Sequence, residues 1–175
     1  MTESREVGTG TFFTTKNSTP IHANISLSVV VAICSFEEDE EIFKRGLANF
    51  SFTGVGKNFL SRSEEEKTKE LIKVFMRNFE TFDRTYIVSI PFRYGSKESD
   101  KGYGHPMSDF IIDYLRTRGV EPTCNLEYLS SLKMSNGRID RSRIVEKKIV
   151  LKDDEIKIIY NPQIYRLENI ISQEF

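Results

Sequence analysis

A run from Ile25 to Cys34 alternates with a period of two residues and is the strongest constraint on the fold of this chain. One face of an extended chain would carry Ile25, Leu27, Val29, Val31 and Ile33. The other face would carry Ser26, Ser28, Val30, Ala32 and Cys34. Strict alternation and a high content of β-branched residues predict a strand. We expect it to be a central strand, with Leu27, Val29 and Val31 buried.

Three segments carry helix signals. Ser35 and Glu38 fit a capping box, and the apolar positions that follow indicate a helix that ends near Leu47. Ser63 and Glu66 fit a second box and open the strongest helix, which extends to about Phe82. Its apolar stripe recurs at three- and four-residue steps. The third helix covers Ser108 to Arg118, with Gly119 at the position after the C-cap.

The remaining strand signals are short. Phe12–Thr15 predicts a brief strand, and Thr85–Phe92 predicts a longer one, in which Pro91 indicates a sheet edge or a bulge. Residues 126–134 fit either period, and Asn136-Gly137 favours a strand that ends in a hairpin. A further hairpin is predicted around Asp153-Asp154, between 148–151 and 156–160, and residues 165–171 could add a helical turn.

Strands and helices are mixed without regular alternation, which is typical of the α+β class. We therefore expect a single α+β domain over 11–175, with a mostly antiparallel sheet and two to three packed helices. Residues 1–10 are polar and predict a flexible N-terminal arm. The loop at 93–106 is longer than most connections, and we expect it to be the most mobile internal segment.

Charge and composition exclude several classes of protein. The 175 residues include 25 basic and 26 acidic side chains, so a protein whose whole surface binds nucleic acid is not supported. The polar N-terminus lacks the apolar region of a signal peptide, and we expect an intracellular protein. The longest apolar run, Val29–Cys34, is far shorter than the ~20 residues that span a bilayer.

No motif in the sequence specifies a reaction. Gly54-Val55-Gly56-Lys57 resembles part of a phosphate-binding loop but lacks the first glycine and the hydroxyl residue after the lysine. The only His and Cys residues are His22, Cys34, His105 and Cys124. Their spacing does not match a zinc site or a Cys–His nucleophile pair. We expect no metal and no cofactor, and an enzyme remains only as the third alternative.

A basic strip near the C-terminus is the one local charge excess. It contains Lys133, Arg138, Arg141, Arg143, Lys147, Lys148 and Lys152. Only Asp140 and Glu146 oppose these seven side chains. Such a strip could contact the phosphates of RNA or of anionic lipid headgroups. An exposed hairpin with ordinary solvating charges is the alternative interpretation.

The order of elements is similar to that of the rhabdovirus matrix proteins, in particular the shorter ones from plant-infecting viruses. The similarity rests on the early strand (25–33), the long amphipathic helix (63–82), the strand leading into Arg93-Tyr94-Gly95, and the late hairpin at Asp153-Asp154. The chain departs from the animal-virus pattern, because it has neither a proline-rich late-budding motif nor a lysine-rich N-terminal arm.

This resemblance implies a non-enzymatic structural protein. Such a protein would self-associate, condense the viral ribonucleoprotein and bridge it to the inner face of the envelope, in the virion and at the host cytoplasmic membrane. Its partners would be the nucleocapsid, an anionic membrane surface, RNA and further copies of itself. The alternative is a small accessory or regulatory protein, viral or not, that binds RNA or a host protein.

Overall fold

The computed structural model describes residues 3–25, 28–37, 42–51, 60–93, 106–128, 147–160 and 172–174. Within these ranges there are ten strands and two helices: β1 (Arg5–Glu6), β2 (Thr11–Thr15), β3 (Ile21–Ile25), β4 (Ser28–Glu37), β5 (Ile42–Ser51), α1 (Arg62–Met76), β6 (Arg84–Arg93), α2 (Pro106–Arg116), β7 (Thr123–Tyr128), β8 (Lys147–Lys152), β9 (Glu155–Tyr160) and β10 (Ser172–Glu174).

The strands form two five-stranded sheets. The central sheet has the order β2-β5-β4-β6-β7, and the outer sheet has the order β1-β3-β8-β9-β10. Neighbouring strands are antiparallel except for β1 with β3 and β6 with β7. The predicted α+β class, mostly antiparallel with two to three packed helices, is confirmed.

Strand β4 is buried on both faces. It pairs with β5 on one side and β6 on the other, so it is the middle strand of the central sheet. Val29 and Val31 pack against the helices, whereas Val30 and Ala32 pack against the outer sheet. All four are fully buried. The molecule therefore has three layers, namely the helices, the central sheet and the outer sheet.

The predicted central strand is confirmed over its second part. Ile25 ends β3 in the outer sheet, and β4 begins at Ser28. Leu27, which was expected to be buried, lies outside the described residues.

The helix predicted after Ser35 is wrong, because this segment forms the β4–β5 pair. The two strands pair over ten positions, from Ser28 with Ser51 to Glu37 with Ile42. The Ser35 hydroxyl shares a 2.8 Å hydrogen bond with Thr81 instead of capping a helix. Local capping signals contribute about 1 kcal/mol, and pairing with burial on a central strand outweighs them.

Helix α1 is confirmed with different ends. Its N-cap is Ser61, not Ser63, since the Ser61 hydroxyl accepts a hydrogen bond from the Glu64 amide and the Glu64 carboxylate accepts one from the Ser61 amide. Both serines fit the same four-residue pattern, and sequence alone does not separate them. The helix ends at Met76 instead of Phe82.

Helix α2 begins at Pro106, two residues before the predicted start. Proline suits a first helical position because its nitrogen needs no partner there. At the other end Gly119 has a φ of +74°. The Val120 amide donates to the Leu115 carbonyl and the Gly119 amide donates to the Arg116 carbonyl, which is the Schellman pattern. The predicted glycine stop is confirmed.

The other strand predictions are confirmed in outline. The β6–β7 register shifts between Ser89 and Arg93, the interval that contains Pro91, in agreement with the predicted bulge. The ambiguous segment at 126–134 begins as a strand, but β7 starts at Thr123 and runs parallel to β6. The Asn136-Gly137 hairpin, the turn at 165–171 and most of the 93–106 loop lie outside the described residues.

The N-terminal segment is attached to the outer sheet at residues 5–7, which corrects the prediction of a loose arm there. Arg5 and Glu6 pair with Ile21 and His22. Val7 is buried in the core between the sheets, and its amide donates to the His22 carbonyl. One buried valine in a polar stretch is too weak a pattern to reveal this attachment from sequence.

Gly46 is a point of close packing between β5 and the helix layer. A methyl group there would lie 2.8 Å from side-chain atoms of Phe75, Phe79 and Thr14. The two phenylalanine rings already pack edge to face with centroids 5.3 Å apart, so they have little room to move.

Gly46→Ala should therefore lower the free energy of unfolding by about 1–3 kcal/mol through overpacking. Urea denaturation measures this change. Gly8→Ala is the matched control, since a methyl group there would approach only Thr11, at 3.9 Å. Equal stabilities of the two variants would contradict the packing role of Gly46.

Candidate functional site

Three residues of the predicted basic strip lie on β8. Lys148 and Lys152 are on the solvent-facing side of the outer sheet, half-buried and exposed respectively. Lys147 was expected to be exposed and is instead only 1% exposed. This is a correction, and its reason is the strand period, because Lys147 shares the inner face with Ile149 and Leu151.

The other four members of the strip, Lys133, Arg138, Arg141 and Arg143, lie outside the described residues. Their predicted role stays a prediction.

The structure adds two basic side chains that the strip did not include. Val150 of β8 pairs with His22 of β3 on one side and with Lys157 of β9 on the other. Directly opposed residues in a sheet share one face, so these three form one row across the outer sheet. The sequence carried a usable signal for Lys157, since a two-residue turn at Asp153-Asp154 sets the hairpin register.

We call the solvent-facing surface around Lys148, Lys152 and Lys157 the lysine face. Val150 and Ile159 are half-buried on the same side of the sheet. Its acidic residues in the described strands are Glu155, opposite Lys152, Glu174, the register partner of Lys157, and Glu6 on β1. The lysine face therefore combines three lysines, balanced in number by three acidic residues, with partly exposed apolar side chains.

A small polar cluster lies at one edge of the lysine face. The Asn24 amide nitrogen donates to the Glu6 carboxylate over 3.0 Å. His22 is the register partner of Glu6, and its buried Nδ1 has no hydrogen-bond partner among the described residues. Burial lowers the pKa of His22 and the Lys148 charge lowers it further, while Glu6 acts in the opposite direction. The imidazole is therefore neutral at pH 7.

The hairpin that bears two strands of the lysine face is held to the central sheet by its turn. Arg45 forms an ion pair of 3.5 Å with Asp153, and Arg84 forms one of 3.1 Å with Asp154. The Tyr86 hydroxyl donates to the Asp154 carbonyl over 3.1 Å. These contacts come from β5 and β6, the two strands that flank β4 in the central sheet, so they fix the position of β8 and β9 against it.

Arg45 also anchors the chain before β3. Its side chain is buried and donates to the carbonyls of Asn17 and Thr19. One guanidinium thus connects the turn that precedes β3 to the turn between β8 and β9. The sequence reasoning did not identify this residue, because no pattern distinguishes a buried arginine from an exposed one.

The structure separates the cysteines and histidines that a nucleophile pair would need. Cys34 is buried between the two sheets, whereas His22 faces the solvent side of the outer sheet. Burial raises the pKa of the Cys34 thiol to about 12, so the thiol is protonated at neutral pH. Cys124 is half-buried, with its thiol 3.6 Å from the Pro122 carbonyl oxygen. His105 lies outside the described residues.

A cavity of about 400 Å³ lies between the central sheet and the helices. Its lining residues are Gly10, Phe50, Ser51, Glu64, Lys67, Thr68, Leu71 and Met107. This lining contains no histidine or cysteine. Across the ranges that the structure describes, no three His, Cys, Asp or Glu side chains are grouped so that they could hold a metal ion.

Neither described helix is both long and apolar enough to cross a bilayer. The sequence matches no protein-family model, and no curated protein matches it either.

Proposed function

We propose that this chain is a non-enzymatic, matrix-type structural protein that binds an anionic membrane through the lysine face. It would self-associate, condense a viral ribonucleoprotein and hold it against the inner face of an envelope. One observation carries the proposal. The sheet register places Lys148, Lys152 and Lys157 on one solvent-facing surface, around the half-buried Val150.

Self-association would strengthen the attachment of the lysine face to a membrane. A lysine near an anionic membrane contributes about 1 kcal/mol, so three of them supply at most about 3 kcal/mol, and the acidic residues of the same face oppose this attraction. One copy would therefore make only weak, reversible contact. Several linked copies bind far more strongly, because each later contact forms at a high effective concentration. A protein with this face therefore needs assembly for stable attachment.

The composition of the lysine face favours lipid over single-stranded RNA. Sheets that bind single-stranded RNA use aromatic side chains on which the bases stack. The described side chains on this face include no Phe, Tyr or Trp. Val150 and Ile159 offer an apolar contact that suits the boundary between headgroups and acyl chains.

The order of elements also supports the proposal. The early strand, the amphipathic helix, the strand before Arg93 and the late hairpin, on which the resemblance to rhabdovirus matrix proteins rests, correspond to β4, α1, β6 and β8–β9. In that arrangement the hairpin would face the envelope, and the helix layer would lie on the opposite side of the central sheet.

Flotation with vesicles tests the proposal. We expect the protein to float with vesicles that contain phosphatidylglycerol, to stay behind with pure phosphatidylcholine, and to be released as salt is raised. Sedimentation of the protein alone at low salt should show self-association. Failure to bind anionic vesicles at low salt would contradict the proposal. Binding of a short RNA as a discrete complex, without flotation, would favour the accessory-protein alternative.

A further inference from the structure

His22 occupies a position on the outer sheet where its charge would add to the lysine face. It lies in the same row as Val150 and Lys157, and next to the row that contains Lys148. The ring is half-buried, and the buried Nδ1 has no hydrogen-bond partner among the described residues. The sheet therefore holds the ring at this surface without satisfying one of its nitrogens.

Charged groups on both neighbouring strands act on this histidine. Glu6 lies opposite it on β1 and is already engaged by the Asn24 amide. Lys148 acts on it from β8, and burial together with this lysine lowers the pKa of His22. In free solution the imidazolium form of His22 is thus less favoured in the folded protein than in the unfolded chain. The ring takes up a proton only as the pH falls below 6.5, the ordinary pKa of a histidine.

We propose that His22 makes membrane binding by the lysine face dependent on proton uptake, so that the protein binds phosphate headgroups of anionic lipids more tightly as the pH falls from about 7.5 to about 5.5. This inference rests on the proposed function and adds a regulatory residue to the same surface. The ligand is the phosphodiester of a lipid headgroup, which stays ionised throughout this range.

The physical reason is a change in the field around the imidazole. Facing solvent, His22 has a lysine beside it that opposes protonation. Facing an anionic membrane, it meets a negative surface potential that favours the imidazolium. One added charge near such a surface strengthens binding about fivefold. By linkage, protonation of His22 raises the affinity for the membrane by the same factor as membrane binding raises the affinity of His22 for a proton.

The experiment measures partition onto phosphatidylglycerol-containing vesicles at pH 7.5 and at pH 5.5, at one fixed ionic strength. For the natural sequence we expect the partition coefficient to rise at the lower pH, by up to about fivefold, the limit set by one added charge. For His22→Gln the ratio of the partition coefficient at pH 5.5 to that at pH 7.5 should fall close to one. His105→Gln is the matched control, because the chain has only two histidines, and it should keep the natural ratio.

A second measurement reports on the proton itself. Proton NMR of the two histidine rings, assigned with the same variants, should give a His22 pKa below the usual value in free protein. That pKa should move upward when phosphatidylglycerol vesicles are added and stay in place with phosphatidylcholine alone. Circular dichroism at both pH values establishes that each variant is folded, since acid also costs stability when a folded-state histidine pKa is lowered.

The outcomes separate this inference from the proposed function. Binding could be sensitive to salt while the ratio of partition coefficients at pH 5.5 and pH 7.5 is the same in the natural sequence and in His22→Gln. That result overturns the role of His22 and leaves membrane binding by the lysine face in place. A ratio that disappears in His105→Gln instead assigns the effect to the other histidine and also overturns the inference. Absence of binding to anionic vesicles at both pH values overturns both proposals together.

Discussion

Reversing the three lysines of the lysine face to glutamate should abolish binding to anionic vesicles. The variant Lys148→Glu, Lys152→Glu, Lys157→Glu changes the local charge by six units. Three attractions of about 1 kcal/mol each become repulsions, so at low salt the partition coefficient should fall at least about a hundredfold. The fold should remain, with a stability loss somewhat above the ~0.5 kcal/mol of an ordinary surface substitution, because Lys152→Glu and Lys157→Glu would stand directly opposite Glu155 and Glu174. Vesicle flotation, with thermal unfolding beside it, measures both effects.

The helix layer offers a control with the same change in net charge. Lys67, Lys69 and Arg77 are exposed on or just after α1, on the other side of the central sheet from the lysine face. Reversing these three to glutamate should reduce binding by only a few fold. Equal losses in the two triple variants would mean that net charge, not the lysine face, determines attachment.

Lys147 has to be kept out of any such variant. It belongs to the basic strip by sequence, but its side chain is buried on the inner face of β8. A glutamate there would place a negative charge in the interior and would test folding instead of binding.

A charge on the middle strand should cost more stability than any surface change. Val31 is fully buried on β4 and belongs to the core between the central sheet and the helices. In Val31→Asp a carboxylate would replace an isopropyl group where water cannot reach it. We expect the free energy of unfolding to fall by at least about 4 kcal/mol, which would leave a marginally stable domain largely unfolded.

The control for this variant is the same substitution at an exposed valine. Val74 lies on α1 with 43% of its surface exposed. Val74→Asp should change the free energy of unfolding by less than about 1 kcal/mol, as measured by urea denaturation. A Val31→Asp protein that unfolds at the same urea concentration as Val74→Asp would show that β4 is not the buried centre of the fold.

The wrong helix prediction shows where reasoning from local signals fails. Ser35, Glu38 and the apolar residues that follow satisfy the rules for a helix start as well as those of α1 do. Their outcome differs because 42–51 has a strand partner in β4, and α1 has none. Pairing of β5 with β4 also places Gly46 where the rings of Phe75 and Phe79 pack against it, and this contact joins segments that are distant in sequence.

The sequence by itself determined the elements whose signals are local and mutually consistent. The alternating, β-branched run from Ile25 to Cys34 indicated β4, the three- and four-residue apolar spacing indicated α1, and two turn residues indicated the β8–β9 hairpin. Each of these depends on the period of one element or on a single tight turn, which neighbouring residues encode completely.

Only the tertiary structure decided which residues share the candidate binding surface. The basic strip is continuous in sequence, yet strand alternation sends Lys147 inward and leaves Lys148 and Lys152 outside. His22 and Lys157 join that surface because β3 and β9 pair on either side of β8. Pairing between distant strands is set by the burial of whole faces, so the chemistry of the surface depends on the register of three strands and not on a local pattern.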